Sequence, residues 1–173
     1  MKSFNIAAYI SGSGSNLKTI IDNSLKGVIS SKVMLVIADR KASGLDYPAS
    51  MGIETAVVSR NELSRAEFLK TQSDLLKTHK IDLIILAGFI KKLPDEIVRE
   101  YKDRIINIHP ALLPKFGGKG MHGINVHKAV IDAGEQFSGP TVHFVNEVYD
   151  SGEILLQKKI RINQGEKIGR AHV

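Results

Sequence analysis

The chain has 173 residues, a length typical of one domain, with 43% hydrophobic and 24% charged residues and no cysteine. The lack of cysteine excludes disulfides, thiolate nucleophiles and thiolate metal sites, and no apolar run is long enough to span a bilayer. The net charge of +6 favours anionic partners, but scattered lysines and few aromatic residues argue against a nucleic-acid surface. We expect a cytoplasmic protein with no membrane and no nucleic-acid partner.

Apolar runs of strand length recur along the chain up to residue 109 and are separated by helical patterns. The runs are β-rich and nearly continuous, as expected of strands buried on both faces. The predicted strands cover residues 5–10, 32–38, 54–58, 82–88 and 104–109. Because strands that alternate with helices form parallel sheets, we expect an α/β, Rossmann-like domain with a mostly parallel central sheet and helices on both faces.

Local signals mark the helices between these strands. Apolar residues at helical spacing predict a buried face on the first helix, formed by Leu17, Ile20, Ile21 and Leu25. Ser64 and Glu67 have the spacing of a capping box, and Pro94 is placed as a first-turn proline. These signals predict helices that begin near residues 16, 65 and 94.

The pattern changes after residue 109. A glycine-rich loop, KFGGKGMHG, precedes a helical segment over residues 124–135. Residues 140–145 and 153–162 alternate like the strands of a hairpin joined by NEVYDSG. We expect these late strands to add antiparallel edges to the sheet of a single domain.

The segment SGSGSN, residues 11–16, follows the first predicted strand and opens the first helix. Its glycines let the backbone turn tightly, and the helix start offers N–H groups and partial positive charge to an anion. Leu17 stands where a dinucleotide-binding loop has its third glycine, and no lysine–serine pair closes a P-loop. The pattern predicts a site for one phosphate at Gly14, Ser15 and Asn16. The alternative is a plain glycine turn in which Asn16 caps the helix.

The segment INIHPALLPKF, residues 106–116, ends the fifth predicted strand with an asparagine and a histidine. Alternation along a strand points Asn107 and His109 the same way. The imidazole can exchange a proton near neutral pH, and the carboxamide can donate a hydrogen bond to a developing oxyanion. Pro110 and Pro114 restrict the exit from the strand, so we expect a preorganised catalytic pair. The alternative is that His109 is a packed imidazole bonded to the backbone.

A carboxylate beside His109 would favour its charged form, and Asp150, in the turn between the late strands, is the candidate. Asp150 can equally be an Asx-turn residue. We assign most other histidines to the surface or to loops, namely His79, His122, His127 and His172. His143 is expected to be a strand residue that supports the site from behind. We find no convincing cluster of metal ligands and expect no metal.

Together, SGSGSN, LAGFIKKL, INIHPALLPKF and VNEVYDSGEIL resemble the phosphoribosylglycinamide formyltransferase family, in order along nearly the whole chain. The resemblance implies the formyltransferase fold and transfer of a formyl group from 10-formyltetrahydrofolate to glycinamide ribonucleotide in purine (IMP) biosynthesis. It implies these two small molecules as partners, 10-formyltetrahydrofolate as the co-substrate, and a monomer or homodimer.

The resemblance also implies three groups of site residues. The catalytic residues are Asn107, His109 and Asp150. The residues that bind the substrate phosphate are Gly14, Ser15 and Asn16. The residues of the folate site are Arg65, Ile90, Lys91, Lys92, Leu93, Asn107, Asn146, Glu147, Val148, Tyr149 and Asp150. The family usually has an arginine in place of Lys91, so a bidentate contact is not expected there.

The implied reaction is direct acyl transfer. Asn107 and a protonated His109 stabilise the oxyanion, and Asp150 raises the pKa of His109 and orients its ring. Two alternatives stay open. One is a fragment of a methionyl-tRNA formyltransferase, which shares the asparagine–histidine strand end but lacks GSGSN. The other is a non-catalytic module that binds phosphate or nucleotide.

The end of the chain carries a separate expectation. The family continues with a long C-terminal helix, whereas this chain stops at GEKIGRAHV. The segment IGRAHV corresponds to the translation of a common sequencing-adapter sequence. Although a short natural tail is the alternative, we therefore expect one native domain over residues 1–166, a missing C-terminal helix and a non-native tail over 167–173. Such a chain would expose an apolar sheet face and have low stability and weak activity.

Overall fold

The structure is a computed structural model that describes residues 3–162. The chain divides into two compact units, Met1–Ile106 and Asn107–Val173, with the boundary inside the fifth strand. The prediction of a single domain over residues 1–166 stays a prediction. The non-native tail predicted for residues 167–173 lies outside the described residues, as does His172. Within residues 3–162, no helix combines the length and the apolar character needed to cross a membrane.

The first unit is built of parallel strands joined by helices. Its strands are β1 (Asn5–Ile10), β2 (Lys32–Ala38), β3 (Glu54–Val57), β4 (Leu83–Leu86) and the start of β5 (Ile105–His109). Its helices are α1 (Ser15–Leu25), α2 (Asp46–Ser50), α3 (Arg65–Thr78) and α4 (Asp95–Glu100). The strand order is β3-β2-β1-β4, and every pair with assigned register is parallel. The predicted α/β class and the predicted strands are confirmed, with bounds that differ by one or two residues.

The centre of this sheet is buried because β1 lies between two neighbours. Residues 7–10 of β1 have no exposed surface, and α1 buries Leu17 and Ile21 against the unit's core. Each such aliphatic side chain stabilises the fold by about 2 kcal/mol. Leu25 is 61% exposed, so the prediction that it belongs to the buried face is wrong; it lies in the last turn of α1, where the helix ends.

Two predicted helix starts have outcomes in the structure. The capping box at α3 is confirmed, since Ser64 Oγ accepts from the Glu67 N–H and the Glu67 carboxylate accepts from the Ser64 N–H. Pro94 is the cap of α4 rather than its first helical residue, and its extended ψ of 138° explains the difference of one position.

The second unit contains the rest of β5 and the late strands. Its elements are α5 (Ile124–Asp132), β6 (Phe137–Ser138), β7 (Thr141–Phe144), β8 (Ile154–Gln157) and β9 (Ile160–Arg161). The neighbour order is β5-β7-β8, and a separate ribbon joins β6 to β9. The predicted hairpin is confirmed, because β7 and β8 are antiparallel.

The predicted strand over residues 153–162 is wrong as one element. It breaks into β8 and β9, which pair with different partners. The Lys158 N–H donates to the Pro140 carbonyl, but proline has no N–H to continue the ladder. Gly139 lies so close to the Lys158 carbonyl that a Cβ there would be 1.8 Å from the oxygen. The chain therefore changes partner at this point.

Strand β8 is an edge strand whose apolar side chains are open to solvent. Ile154, Leu155 and Leu156 are 41%, 46% and 65% exposed. Consecutive residues of a strand point to opposite faces, so this exposure does not define one sheet face. The exposed apolar sheet face expected from the sequence stays a prediction. The expected low stability of the chain stays a prediction.

Candidate active site

The glycine turn between β1 and α1 has the geometry of an anion site. Gly14 caps the helix at φ 71°, a conformation that favours glycine, and α1 begins at Ser15. Asn16 is the second residue of the helix rather than its cap, so the alternative role considered for it is wrong. The first N–H groups of an α-helix have no partner within the helix, so the turn presents donors at Ser15 and Asn16.

A second glycine segment holds this turn in place. The Gly44 N–H donates to the Gly12 carbonyl at 3.2 Å. A Cβ on Gly44 would lie 2.5 Å from that oxygen and 2.8 Å from the Gly14 nitrogen. The backbone of residues 43–45, a short 3-10 turn, therefore packs directly on the glycine turn, and only glycine fits at the contact.

The segment after β4 is tied to the same turn. The Ile90 N–H donates to Ser11 Oγ at 3.0 Å, and the Ser11 N–H donates to the Gly88 carbonyl at 3.2 Å. Lys91 and Lys92 are exposed, and Lys92 pairs with Asp95 at 2.7 Å. Leu93 is buried in the first unit. Among the predicted folate residues in this segment, the two lysines thus present positive charge to solvent, whereas Leu93 packs in the core of the first unit.

Arg65, the other predicted folate residue of the first unit, lies at the start of α3. Its guanidinium pairs with Glu96 at 2.6 Å, and the two side chains are 69% and 44% exposed. The pair is open to solvent, so Arg65 keeps donors available for an anionic ligand.

In the second unit, three polar side chains surround one carboxylate oxygen of Asp150 and form with it what we call the carboxylate cluster. Asp150 Oδ1 lies 3.4 Å from Asn107 Nδ2, 3.6 Å from His143 Nε2 and 3.7 Å from His109 Nδ1. Its other oxygen accepts the Gly118 N–H at 2.8 Å. The three residues predicted to form the catalytic group are therefore together in space, and Asp150 is not the Asx-turn residue of the alternative interpretation.

The ring of His109 has an acceptor at each nitrogen. Nε2 lies 2.7 Å from the Phe116 carbonyl oxygen, which can only accept, so Nε2 carries a proton. The titrating nitrogen is then Nδ1, on the side of Asp150. The sequence left two alternatives for His109, a packed imidazole bonded to the backbone and an imidazole paired with a carboxylate. Both describe the same ring, because Nε2 faces the backbone and Nδ1 faces Asp150.

Burial decides the charge state of this pair. Burial lowers the pKa of His109, and this effect outweighs Asp150 and the Phe116 carbonyl, both of which raise that pKa; the charge of His143 lowers it further. Burial raises the pKa of Asp150, but His143, the Gly118 N–H and the charge of His109 bring that pKa below its usual range. The sequence correctly predicts that Asp150 raises the pKa of His109. The net shift of that pKa is nevertheless downward, so a neutral His109 faces an ionised Asp150.

The comparisons with known proteins agree with this geometry. A family model described as formyl transferase matches residues 4–172. The chain belongs to the formyl transferase family. Residues 5–162 of the chain, which include the glycine turn and the carboxylate cluster, fall within the matched range.

Comparison with individual proteins shows which members of this family the chain resembles. A phosphoribosylglycinamide formyltransferase of Haemophilus influenzae is 41% identical over 159 residues, 91% of this chain and 73% of that protein. The chloroplastic enzyme of that name from Arabidopsis thaliana is 42% identical over 160 residues, 91% of this chain but 55% of that protein. The chain thus spans about half the length of this plant relative and 51% of the length of a Vigna unguiculata protein of the same name.

Solved structures show that the fold is shared. Glycinamide ribonucleotide transformylase 1 from Symbiobacterium toebii is 32% identical with a TM-score of 0.90, over 98% of this chain and 78% of that one. A phosphoribosylglycinamide formyltransferase from Bacillus halodurans has a TM-score of 0.87 at 28% identity, over 96% of this chain and 84% of that one. The formyltransferase fold expected from the sequence is confirmed.

His143 of β7 also takes part in the carboxylate cluster. His143 is 2% exposed, its Nδ1 donates to the Phe144 carbonyl at 2.7 Å, and its Nε2 accepts from Asn107. It lies in β7 and contacts both Asn107 and Asp150, which agrees with the supporting strand position expected for it. The signal available in the sequence is a polar residue at a buried position of an alternating strand.

The sequence did not predict the backbone contacts from Phe116 and Gly118, because backbone carbonyl and N–H groups do not depend on the residue type. Thr141, fully buried, donates its hydroxyl to the Ala111 carbonyl at 2.7 Å and accepts the Leu113 N–H at 3.1 Å. These bonds hold the strand exit, in addition to the prolines expected to do so.

Two other histidines lie where the sequence predicted. His122 is exposed, as predicted. His79 lies in the turn that ends α3, which agrees with its assignment to a loop; its side chain is 14% exposed, and its ring nitrogens face the Leu75 carbonyl and Glu54. Over residues 3–162, no group of three or more histidine or acidic side chains is arranged to hold a metal ion. The absence of a metal stays a prediction.

Proposed function

We propose that this chain transfers a formyl group from 10-formyltetrahydrofolate to the amine of glycinamide ribonucleotide in purine biosynthesis. The observation that carries the proposal is the meeting of Asn107 and His109 with Asp150 in a chain of the formyl transferase family. The names of the relatives support it. Besides the formyltransferases, a bovine trifunctional purine biosynthetic protein adenosine-3 is 36% identical over 169 residues.

The reaction joins the ribonucleotide amine nitrogen to the formyl carbon and breaks the bond from that carbon to the folate nitrogen. One proton must leave the amine, and one must reach the departing nitrogen. The Nδ1 atom of a neutral His109 can take the first proton and return it to the folate nitrogen. Asp150, 3.7 Å away, would stabilise the imidazolium that exists between the two steps.

Negative charge collects on the formyl oxygen as the tetrahedral intermediate forms. Asn107 would donate to that oxygen the amide N–H that faces Asp150 Oδ1 at 3.4 Å in the free chain, since its other N–H is donated to His143. His143 favours this role because its Nε2 lone pair accepts from Asn107 Nδ2 at 3.1 Å and so fixes which end of the amide carries the donors. The protonated His109 expected from the sequence thus becomes an intermediate state, since burial lowers its pKa in the structure.

The substrates would be held by two kinds of site. Gly14, Ser15 and Asn16 offer backbone and side-chain donors to the ribonucleotide phosphate. Arg65 and Lys91 offer charge to the glutamate end of the folate. The loop of residues 146–150 carries exposed apolar side chains at Val148 and Tyr149, 65% and 41% exposed, which suit a flat heterocycle. Holding both reactants together would supply much of the rate.

The direct test is formyl transfer by this chain, followed by product formation from glycinamide ribonucleotide. The Haemophilus influenzae relative, assayed alongside, is the matched positive control. Initiator methionyl-tRNA as acceptor tests the tRNA-directed alternative. Phosphate-dependent stabilisation without any transfer, where the control enzyme transfers, would favour the non-catalytic alternative. Localisation in the cytoplasm and a monomeric or homodimeric state stay predictions.

A further inference from the structure

The loop between β7 and β8, residues 145–153, carries Asp150 into the cluster, and Asn146, near the start of the loop, holds it from within. Asn146 Oδ1 accepts the Val148 N–H at 2.9 Å and the Ser151 hydroxyl at 2.9 Å. Val148 precedes Asp150 in the chain and Ser151 follows it. One amide oxygen therefore ties together the two flanks of the carboxylate-bearing residue.

Asp150 has a backbone conformation that needs such support. Its φ is 49°, in the left-handed region that residues other than glycine seldom adopt. Residues in this region keep their conformation only where surrounding contacts impose it. The two bonds to Asn146 are contacts of that kind.

The base of the loop is fixed independently of Asn146. The Phe144 N–H donates to the Glu153 carbonyl at 2.9 Å. A Cβ on Gly152 would lie 1.8 Å from the Phe144 carbonyl oxygen, so the chain leaves the loop in close contact with the strand it came from. With entry and exit held, the path of residues 146–151 is set by the bonds to Asn146 inside the loop and by the Gly118 N–H that donates to Asp150 Oδ2 from outside it.

We propose that Asn146 is a positioning residue for formyl transfer, whose side-chain oxygen holds Asp150 against His109. The inference rests on the proposed function. Because Asn146 Oδ1 already accepts two bonds within the loop, the folate contact predicted for this residue would not come from that oxygen.

Three variants separate the acceptor from the rest of the side chain. Asn146→Ala removes the acceptor, Asn146→Thr keeps one, since a threonine hydroxyl can accept the N–H two residues on, and Ser151→Ala removes one of the two donors. We expect kcat of Asn146→Ala to fall roughly tenfold to a hundredfold with KM for both substrates nearly unchanged, because misplacing a catalytic group lowers the rate of the chemical step. Asn146→Thr should retain most activity, and Ser151→Ala should lie between the two.

A double-mutant cycle tests whether Asn146 acts through Asp150. In the Asp150→Asn background, Asn146→Ala should cause no further loss of kcat. A loss that persists in that background, or one that appears in KM for the folate, would overturn the inference.

A measurement without turnover keeps the inference separate from the proposed function. The titration of His109, followed by NMR in the chain without substrates, should move to lower pH in Asp150→Asn, and in the same direction in Asn146→Ala. It should stay in place in Asn146→Thr. If Asn146→Ala does not fold, Ser151→Ala should show a smaller shift of the same sign. An unchanged His109 titration refutes the role of Asn146, whereas absence of formyl transfer by the wild-type chain refutes the proposed function.

Discussion

The glycine turn is formed mainly by backbone atoms, whereas the carboxylate cluster is formed by polar side chains. The turn consists of consecutive residues 11–16 and the backbone of Gly44, and its shape depends on the absence of Cβ atoms. The cluster consists of side chains on β5, β7 and the loop after β7, and it depends on charge and on which nitrogen carries a proton. The turn should therefore fail when atoms are added, and the cluster should fail when a polar group is removed.

Removal of a polar group from the cluster should have the largest effect. We expect His109→Ala and Asp150→Asn each to lower kcat by about a hundredfold or more, as loss of an acid–base or electrostatic group does. KM for the ribonucleotide should change little, because its phosphate is assigned to backbone donors of the turn. Steady-state kinetics on both variants check this. His122→Ala, at an exposed histidine, is the control, and full turnover in either cluster variant would contradict the assignment.

Adding one carbon to the support of the turn should have the next largest effect. The Cβ of Gly44→Ala would lie 2.5 Å from the Gly12 carbonyl oxygen and must push the turn aside. We expect KM for the ribonucleotide to rise roughly tenfold, the equivalent of about 1.4 kcal/mol, with a smaller change in kcat. Phosphate protection against thermal unfolding gives a second readout. The neighbouring Ser43→Ala should behave like the wild type, and a Gly44→Ala variant that binds normally would remove the turn from the site.

The pH profile sharpens the distinction, because only the cluster titrates. With neutral His109 as the reactive form, kcat/KM should rise with pH through the pKa of His109, which burial lowers from its usual range. Asp150 raises that pKa, so residual activity in Asp150→Asn should rise at lower pH than in the wild type. Gly44→Ala should leave the position of this limb unchanged. A limb that moves to higher pH in Asp150→Asn would reverse the proposed roles.

The smallest effect is expected at the exposed pair of Arg65 and Glu96. If Arg65 binds the folate, Glu96 competes with the ligand for it, so Glu96→Gln should lower KM for the folate slightly while Arg65→Ala raises it. Neither change should measurably alter the midpoint of thermal unfolding, because exposed ion pairs add little stability. Changes of KM with the same sign in both variants would exclude this competition.

Local patterns predicted the regular elements well. The strand over residues 32–38 and the capping box of Ser64 and Glu67 match the structure, because burial on both faces and cap geometry depend on neighbours in the chain. The strand over 153–162 was wrong because its break depends on Pro140 and Gly139 of another segment. The prediction that Leu25 is buried was wrong because helical periodicity does not show at which residue a helix extends beyond the core.

The sequence alone determined the α/β class, the glycine turn and the residue types at the end of β5, since each follows from neighbouring residues and the periods of strand and helix. Only the tertiary structure decided that Asp150 reaches His109 and Asn107, that His143 joins them, and that burial outweighs Asp150 in setting the pKa of His109. Distances between side chains far apart in the chain, and the water removed from around them, arise only when the chain has folded.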